Sequence, residues 1–114
     1  MPEKCSAKRK PLTRKETRDL EVGISFLEGL VRRDPGYVEA LQILGDHYAQ
    51  RGDHSHSLQV DQQLSRLQPR NPHVFYNLAC SHSLNGELND AASALVKALH
   101  LGYRDFKWLA QDPD

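Results

Sequence analysis

The chain has 114 residues, 15 basic and 15 acidic side chains, and 39% hydrophobic residues, somewhat below the roughly 45–50% of an average globular chain. That length suits one domain with one modest core. It argues against a large multi-layer enzyme, and no apolar run approaches the ~18 residues of a membrane span.

Residues 1–12 read as a disordered basic tail, polar, charged and broken by Pro2 and Pro11. The zero net charge is a cancellation. Residues 1–18 hold seven bases against two acids, a net +5, and the remainder holds eight bases against thirteen acids, a net −5. Such a tail can bind nucleic acid or an anionic surface, or stay solvated. It has no interleaved aromatic to stack a base. No apolar run follows its basic residues, so it does not read as a secretory signal, and a cytoplasmic location is expected. Cys5 and Cys80 are too few for a disulfide framework and are expected as reduced thiols.

Thr13-Arg14-Lys15-Glu16 has the form of a capping box. Leu20, Ile24, Leu27, Leu30 and Val31 then recur at steps of three and four, one apolar helix face. Arg32-Arg33 suit the helix end, and Asp34-Pro35-Gly36 stops it. A second helix is predicted from about Tyr37 to Gln50, with Val38, Leu41, Leu44, Tyr48 and Ala49 inward and Gly52 as a left-handed cap. A third runs from about His54 to Leu67 on Leu58, Val60, Leu64 and Leu67, and Pro69 blocks it. Asn71-Pro72 pairs a cap residue with a proline at the first helical position. A fourth helix follows to Leu84, with Phe75, Leu78, Ala79 and His82 on one face, ended by Asn85-Gly86. A fifth runs from about Leu88 to Leu101 on Ala91, Ala92, Leu95, Ala98 and Leu99, ended by Gly102. A short turn is expected around Phe106–Ala110. No strand is needed.

Shifting the chain by 34 residues lays Leu44 on Leu78, Gly45 on Ala79, Tyr48 on His82, Gly52 on Gly86, Leu64 on Ala98 and Pro35 on Pro69. Inward and turn positions repeat while the surface differs, as in a duplicated helix–turn–helix unit. These residues resemble the tetratricopeptide repeat, a 34-residue unit with a Trp-x-x-Leu-Gly-x-x-Tyr stretch, a mid-unit Gly and a late Pro. Leu41, Leu44, Gly45, Tyr48, Gly52 and Pro69 match in a first unit, 38–71. Phe75, Leu78, Ala79, Gly86, Ala91, Leu95 and Ala98 match in a second, 72–105. The chain looks like a small bacterial-type member. The resemblance implies an all-α right-handed α-solenoid, the tetratricopeptide-like superhelix, over residues 13–114. It would comprise a capping helix (13–34), two repeats and the start of a closing helix (106–114).

Three residues depart from the family pattern. Ser57 stands where the family has Ala, Asp61 where it has a large side chain, and His82 where it has Tyr. A buried lone carboxylate is costly, so Asp61 is expected to face His82 or the Tyr48 hydroxyl, or to point to water.

Nothing in the chain spells catalysis. It has no Gly-x-Ser-x-Gly, P-loop or dinucleotide fingerprint. Six histidines invite a metal, but His54 and His56, two apart on a helix, diverge by about 200°, and no metal motif is present. We expect no catalytic residue, no metal and no cofactor. What remains is the concave face that stacked helix pairs create. Gln42, Asp46 and Gln50 on its first helix and His73, Tyr76, Asn77 and Cys80 on its second are the expected partner-binding residues. Tyr76 would serve as aromatic anchor and Asn77 would bond a peptide backbone. Chaperone-binding members of the family clamp a peptide carboxylate with Lys, Arg and Asn. Here only Asn77 fits, so capture of a C-terminal carboxylate is not expected, and the acidic, polar groove suits a neutral or basic peptide. The expected function is non-catalytic binding of a protein or peptide. The alternatives are pairing with a second copy through Phe106, Trp108 and Leu109, or nucleic-acid association through the tail.

Overall fold

The computed structural model describes residues 11–104, and these form five α-helices and no strand. They are α1 (Arg14–Arg33), α2 (Val38–Arg51), α3 (His54–Leu67), α4 (Pro72–Leu84) and α5 (Leu88–His100). The expected tail lies outside the described residues up to position 10, as does the expected closing segment from 105 onward.

Local chemistry sets the helix ends. The Thr13 hydroxyl accepts from the Glu16 amide (3.1 Å), and the Glu16 carboxylate accepts from the Thr13 amide (2.9 Å), so two otherwise unpaired donors are satisfied. Asp53 caps α3 by accepting from the His56 amide, and Asn71 caps α4 by accepting from the His73 amide. Gly52, Gly86 and Gly102 sit at φ 83°, 77° and 99°, backbone that a Cβ would strain. After each glycine the chain closes alike. The amides of Asp53, Glu87 and Tyr103 donate to the carbonyls of Tyr48, His82 and Ala98.

Each helix packs chiefly on its neighbours in chain order, α1 on α2, α2 on α3, α3 on α4 and α4 on α5. Leu20, Ile24 and Leu27 meet Leu41, Leu44, Tyr48, Val60, Leu64 and Val74 in the first core cluster. Removing a side chain such as Leu41 or Leu44 from water contributes about 2 kcal/mol. Two smaller clusters continue the core toward α5, one around Leu78, Ala79 and Ala94 and one around Tyr76, Cys80, Ala98 and Tyr103.

The inward faces of α1 and α2 follow the sequence reading, and α3, α4 and α5 depart from it. On α3, Leu67 is exposed while Ser57 and Asp61 are buried, and on α4 Val74, Tyr76, Cys80 and Ser81 are buried beside Leu78 and Ala79. On α5, Ala94 and Ala98 are buried, whereas Leu95 and Leu99 are 38% and 42% exposed. The period finds the apolar face, but among the described residues no helix lies over it. Asp61 is buried and accepts from the Ser81 hydroxyl of α4. The two partners suggested for it are engaged elsewhere. The His82 ring pairs with Glu87 (2.8 Å), and the Tyr48 hydroxyl donates to Glu28.

Candidate functional site

The helical period places Gln42, Asp46 and Gln50 along one side of α2, and all three are exposed together with Glu39. Ile43 is exposed in the same stretch. On α4, His73 is exposed and Asn77 half-buried.

Tyr76 and Cys80 differ from expectation, being 6% and 5% exposed. The positive φ of Gly102 turns the chain back, and Tyr103 stacks face to face on Tyr76 with ring centroids 4.4 Å apart and planes 5° from parallel. His73 stands edge-on to Tyr103 at 5.3 Å. Tyr76 is therefore a core aromatic rather than an open anchor. Cys80 is not a free thiol, which corrects the expectation of a reduced cysteine there; Cys5 lies outside the described residues. The structure thus brings His73, Tyr76 and Cys80 to one aromatic cluster and leaves Gln42, Asp46 and Gln50 as open polar surface on α2.

Tyr103 was missed because Gly102 reads only as the end of the fifth helix. The available signal was an apolar residue directly after a helix-ending glycine, which commonly packs back on the helix.

A concavity of about 390 Å³ lies between α1 and α3 above α2. Leu41, Leu44, Tyr48 and Val60 form its floor, and Glu28 and His56 stand at its mouth. Tyr48 ties the two sides together. Its hydroxyl donates to Glu28, its ring stacks on His56 at 5.1 Å, and the Arg51 guanidinium lies 5.4 Å from the ring centroid. Burial pushes the Tyr48 phenol well above its usual range, and the Glu28 carboxylate adds to the shift.

Arg51 bridges Glu21 (2.7 Å) and Asp53 (2.8 Å), and Asp53 also holds the His56 ring at 2.6 Å. The hydrogen bond to Asp53 raises the Arg51 pKa further, against the opposing effect of burial. For Asp53, burial favours the neutral acid, but Arg51 and the amide and ring of His56 outweigh it and hold the carboxyl below its usual value. This network staples the start of α3 to α1 and α2. It contains no nucleophile paired with a base.

Among the described residues, His82, Glu87 and Asp90 are the His and carboxylate group close enough to share a cation, with ligand atoms within 4.8 Å. The sequence reading missed this group because it spans the α4–α5 turn rather than one helix face. Glu87 and Asp90 sit at the start of α5, where the helix dipole favours carboxylates and opposes a cation. Glu87 already holds the His82 ring at 2.8 Å. No described helix is long and apolar enough to cross a membrane.

No family model matches the chain. The chain is 32% identical over 102 residues to PEX5-related protein of Homo sapiens, a match covering 90% of this chain and 15% of that protein. It is 31% identical over 102 residues to the PEX5-related proteins of Mus musculus and Rattus norvegicus, covering 16% and 15% of them. These relatives are mammalian and give the expected bacterial type no support. The chain is thus similar to a segment of PEX5-related protein and spans 15–16% of the length of the relatives it matches.

Proposed function

We propose that the chain is a non-catalytic protein-interaction module of the tetratricopeptide type, a right-handed stack of helix pairs holding a partner segment on the face formed by α2 and α4. One observation carries this reading. The 34-residue register repeats in side-chain identity and also in turn geometry, since Gly52 and Gly86 share a left-handed conformation and the same closing hydrogen bond. Helix pairs repeated with a constant turn generate a concave face lined by the first helix of each pair. The similarity to a segment of PEX5-related protein supports a role as one part of a larger binding surface.

The residues assigned to contact are Gln42, Asp46 and Gln50, with His73 and Asn77 at the far edge. Tyr76 and Cys80 support that edge from below. Glu39 and Asp46 give the α2 face a negative charge, which suits a neutral or basic partner peptide.

The test is binding of the full chain to a peptide array graded from acidic to basic. Capture of basic peptides, weakened by Asp46→Lys with no change in melting temperature, supports the assignment. Equal capture by the wild type and by Asp46→Lys with Gln42→Ala removes it.

A further inference from the structure

The concavity over α2 has no part in the α2–α4 face assigned above. Helices α1 and α3 both pack on α2, and the hollow of about 390 Å³ between them has Leu41, Leu44, Tyr48 and Val60 as its floor. Its lining runs over residues 41–48 of α2 and 56–63 of α3, a groove of about two helical turns, or roughly 10 Å. Charge around its mouth is unevenly answered. Glu21 and Asp53 share Arg51, and Asp53 also holds His56. Glu28 accepts from the neutral Tyr48 hydroxyl, and among the described residues no cation is in ion-pair contact with it. Arg32 also lines the hollow. It lies one turn further along α1, toward the α1–α2 turn, so the Glu28 end is the negative one.

One period on, the chain fills the corresponding place itself. Phe75 of α4 falls in register with Leu41, and Lys97 of α5 with Gln63. The Lys97 ammonium lies 5.6 Å from the Phe75 ring centroid, so an alkyl stem and its cation cover apolar surface there. Gln62 stands in the place of Glu28, and that site has no carboxylate to answer. Over α2 the arrangement is inverted. Gln63 brings no cation, and Glu28 brings a carboxylate with no cation beside it. We propose that the α1–α3 hollow is a docking site for a segment of another protein that supplies from outside what Lys97 supplies within the next unit, a lysine beside an apolar side chain. Two turns of groove take two side chains one turn apart on a helical segment. A leucine reaches the floor at Leu44 and Val60, and the lysine pairs with Glu28, directed away from Arg32.

The test uses the full chain and a fluorescein-labelled, end-capped helical peptide with one leucine and one lysine a turn apart, read by anisotropy. Two further peptides carry serine for the leucine or norleucine for the lysine. The serine peptide should bind more than about tenfold more weakly, since it leaves the apolar floor uncovered. The norleucine peptide should bind up to about fivefold more weakly, the reach of a part-exposed ion pair, and its binding should not weaken with salt. Glu28→Gln keeps an acceptor for Tyr48. It should weaken the lysine peptide as the norleucine exchange does, and leave the norleucine peptide unchanged. Gln59 is an exposed lining residue, and Gln59→Trp should fill the hollow and weaken both. Equal binding of the leucine and serine peptides overturns the proposal, as does full binding by Gln59→Trp. A loss caused by Asp46→Lys but not by Glu28→Gln also overturns it, because the peptide then sits on the α2–α4 face. Dependence on Glu28 with indifference to Asp46→Lys supports it, whatever becomes of that other face.

Discussion

Asp61 and Ser81 meet at the seam between α3 and α4, where the serine hydroxyl donates to the buried carboxylate. The residues are 2% and 1% exposed. A carboxylate at that depth is tolerable only with hydrogen-bond donors, because its desolvation costs more than the packing it provides. Ser81→Ala should therefore destabilise the fold by about 1–3 kcal/mol, the penalty of removing a donor from a buried charged acceptor. Asp61→Asn keeps the shape and removes the charge, and should soften the effect of Ser81→Ala. Denaturant melts of the two single variants and the double variant check this. A coupling energy of zero between the positions would show that the contact carries nothing.

Asp53 joins a helix cap to an ion-pair network, and the two roles separate by substitution. Asp53→Ala loses both and should cost about 1 kcal/mol from the cap. Asp53→Asn keeps a capping oxygen and loses the charge. The carboxyl is held below its usual value in the folded chain, so the folded state binds its proton less readily than the unfolded state does. The associated stability is complete above the unfolded value, near about 4. It falls away as pH drops through the lower folded value. The melting temperatures of wild type and Asp53→Asn should thus differ at pH 6 and converge in acid.

The Tyr48 hydroxyl donates to Glu28, and burial first, then this carboxylate, raises its pKa. Here the sign is reversed. Stability from the protonated phenol is fully present below the unfolded value, near about 10, and is lost as pH rises toward the folded value. Tyr48→Phe should cost about 1 kcal/mol at neutral pH and flatten the alkaline decline. Ultraviolet titration offers a direct check: the Tyr48 phenol should resist ionisation in the wild type, and Glu28→Gln should make it titrate earlier.

Much of the fold was legible because its signals are local. Thr13 with Glu16, Asn71 with Pro72, and the glycines at 52, 86 and 102 mark helix ends by backbone chemistry that needs no tertiary context. The 3.6-residue period then finds the buried faces of α1 and α2. What was not legible depends on neighbours. Leu95 and Leu99 lie on a correct apolar face, yet their exposure depends on whether another helix follows. Asp61 looked anomalous until Ser81, twenty positions away, supplied its hydrogen bond. Tyr76 has the same residue type and helix position whether it is an open anchor or a core aromatic. Only the return of the chain at Gly102 decides between them.

That return yields the sharpest contrast between the expected and the observed site. If Tyr76 were an open anchor, Tyr76→Ala would abolish partner binding and leave stability intact. Stacked between α4 and Tyr103, it should instead cost about 3–5 kcal/mol, as for other buried large aromatics. Gly102→Ala tests the cause rather than the contact. A Cβ at this glycine meets no atom within 4 Å, so the substitution acts only through the positive φ. Left-handed backbone costs a non-glycine residue about 1 kcal/mol, and relieving that strain pulls Tyr103 away from Tyr76. Near-ultraviolet dichroism, which senses stacked tyrosines, should weaken in Gly102→Ala. Gly86→Ala carries the same kind of strain, at φ 77° and again with no atom in the way, but at a different turn. It should lower the melting temperature similarly and leave the tyrosine signal unchanged. If both glycine variants lose the signal equally, the dichroism reports general loosening and Gly102 has no special hold on the Tyr76–Tyr103 stack.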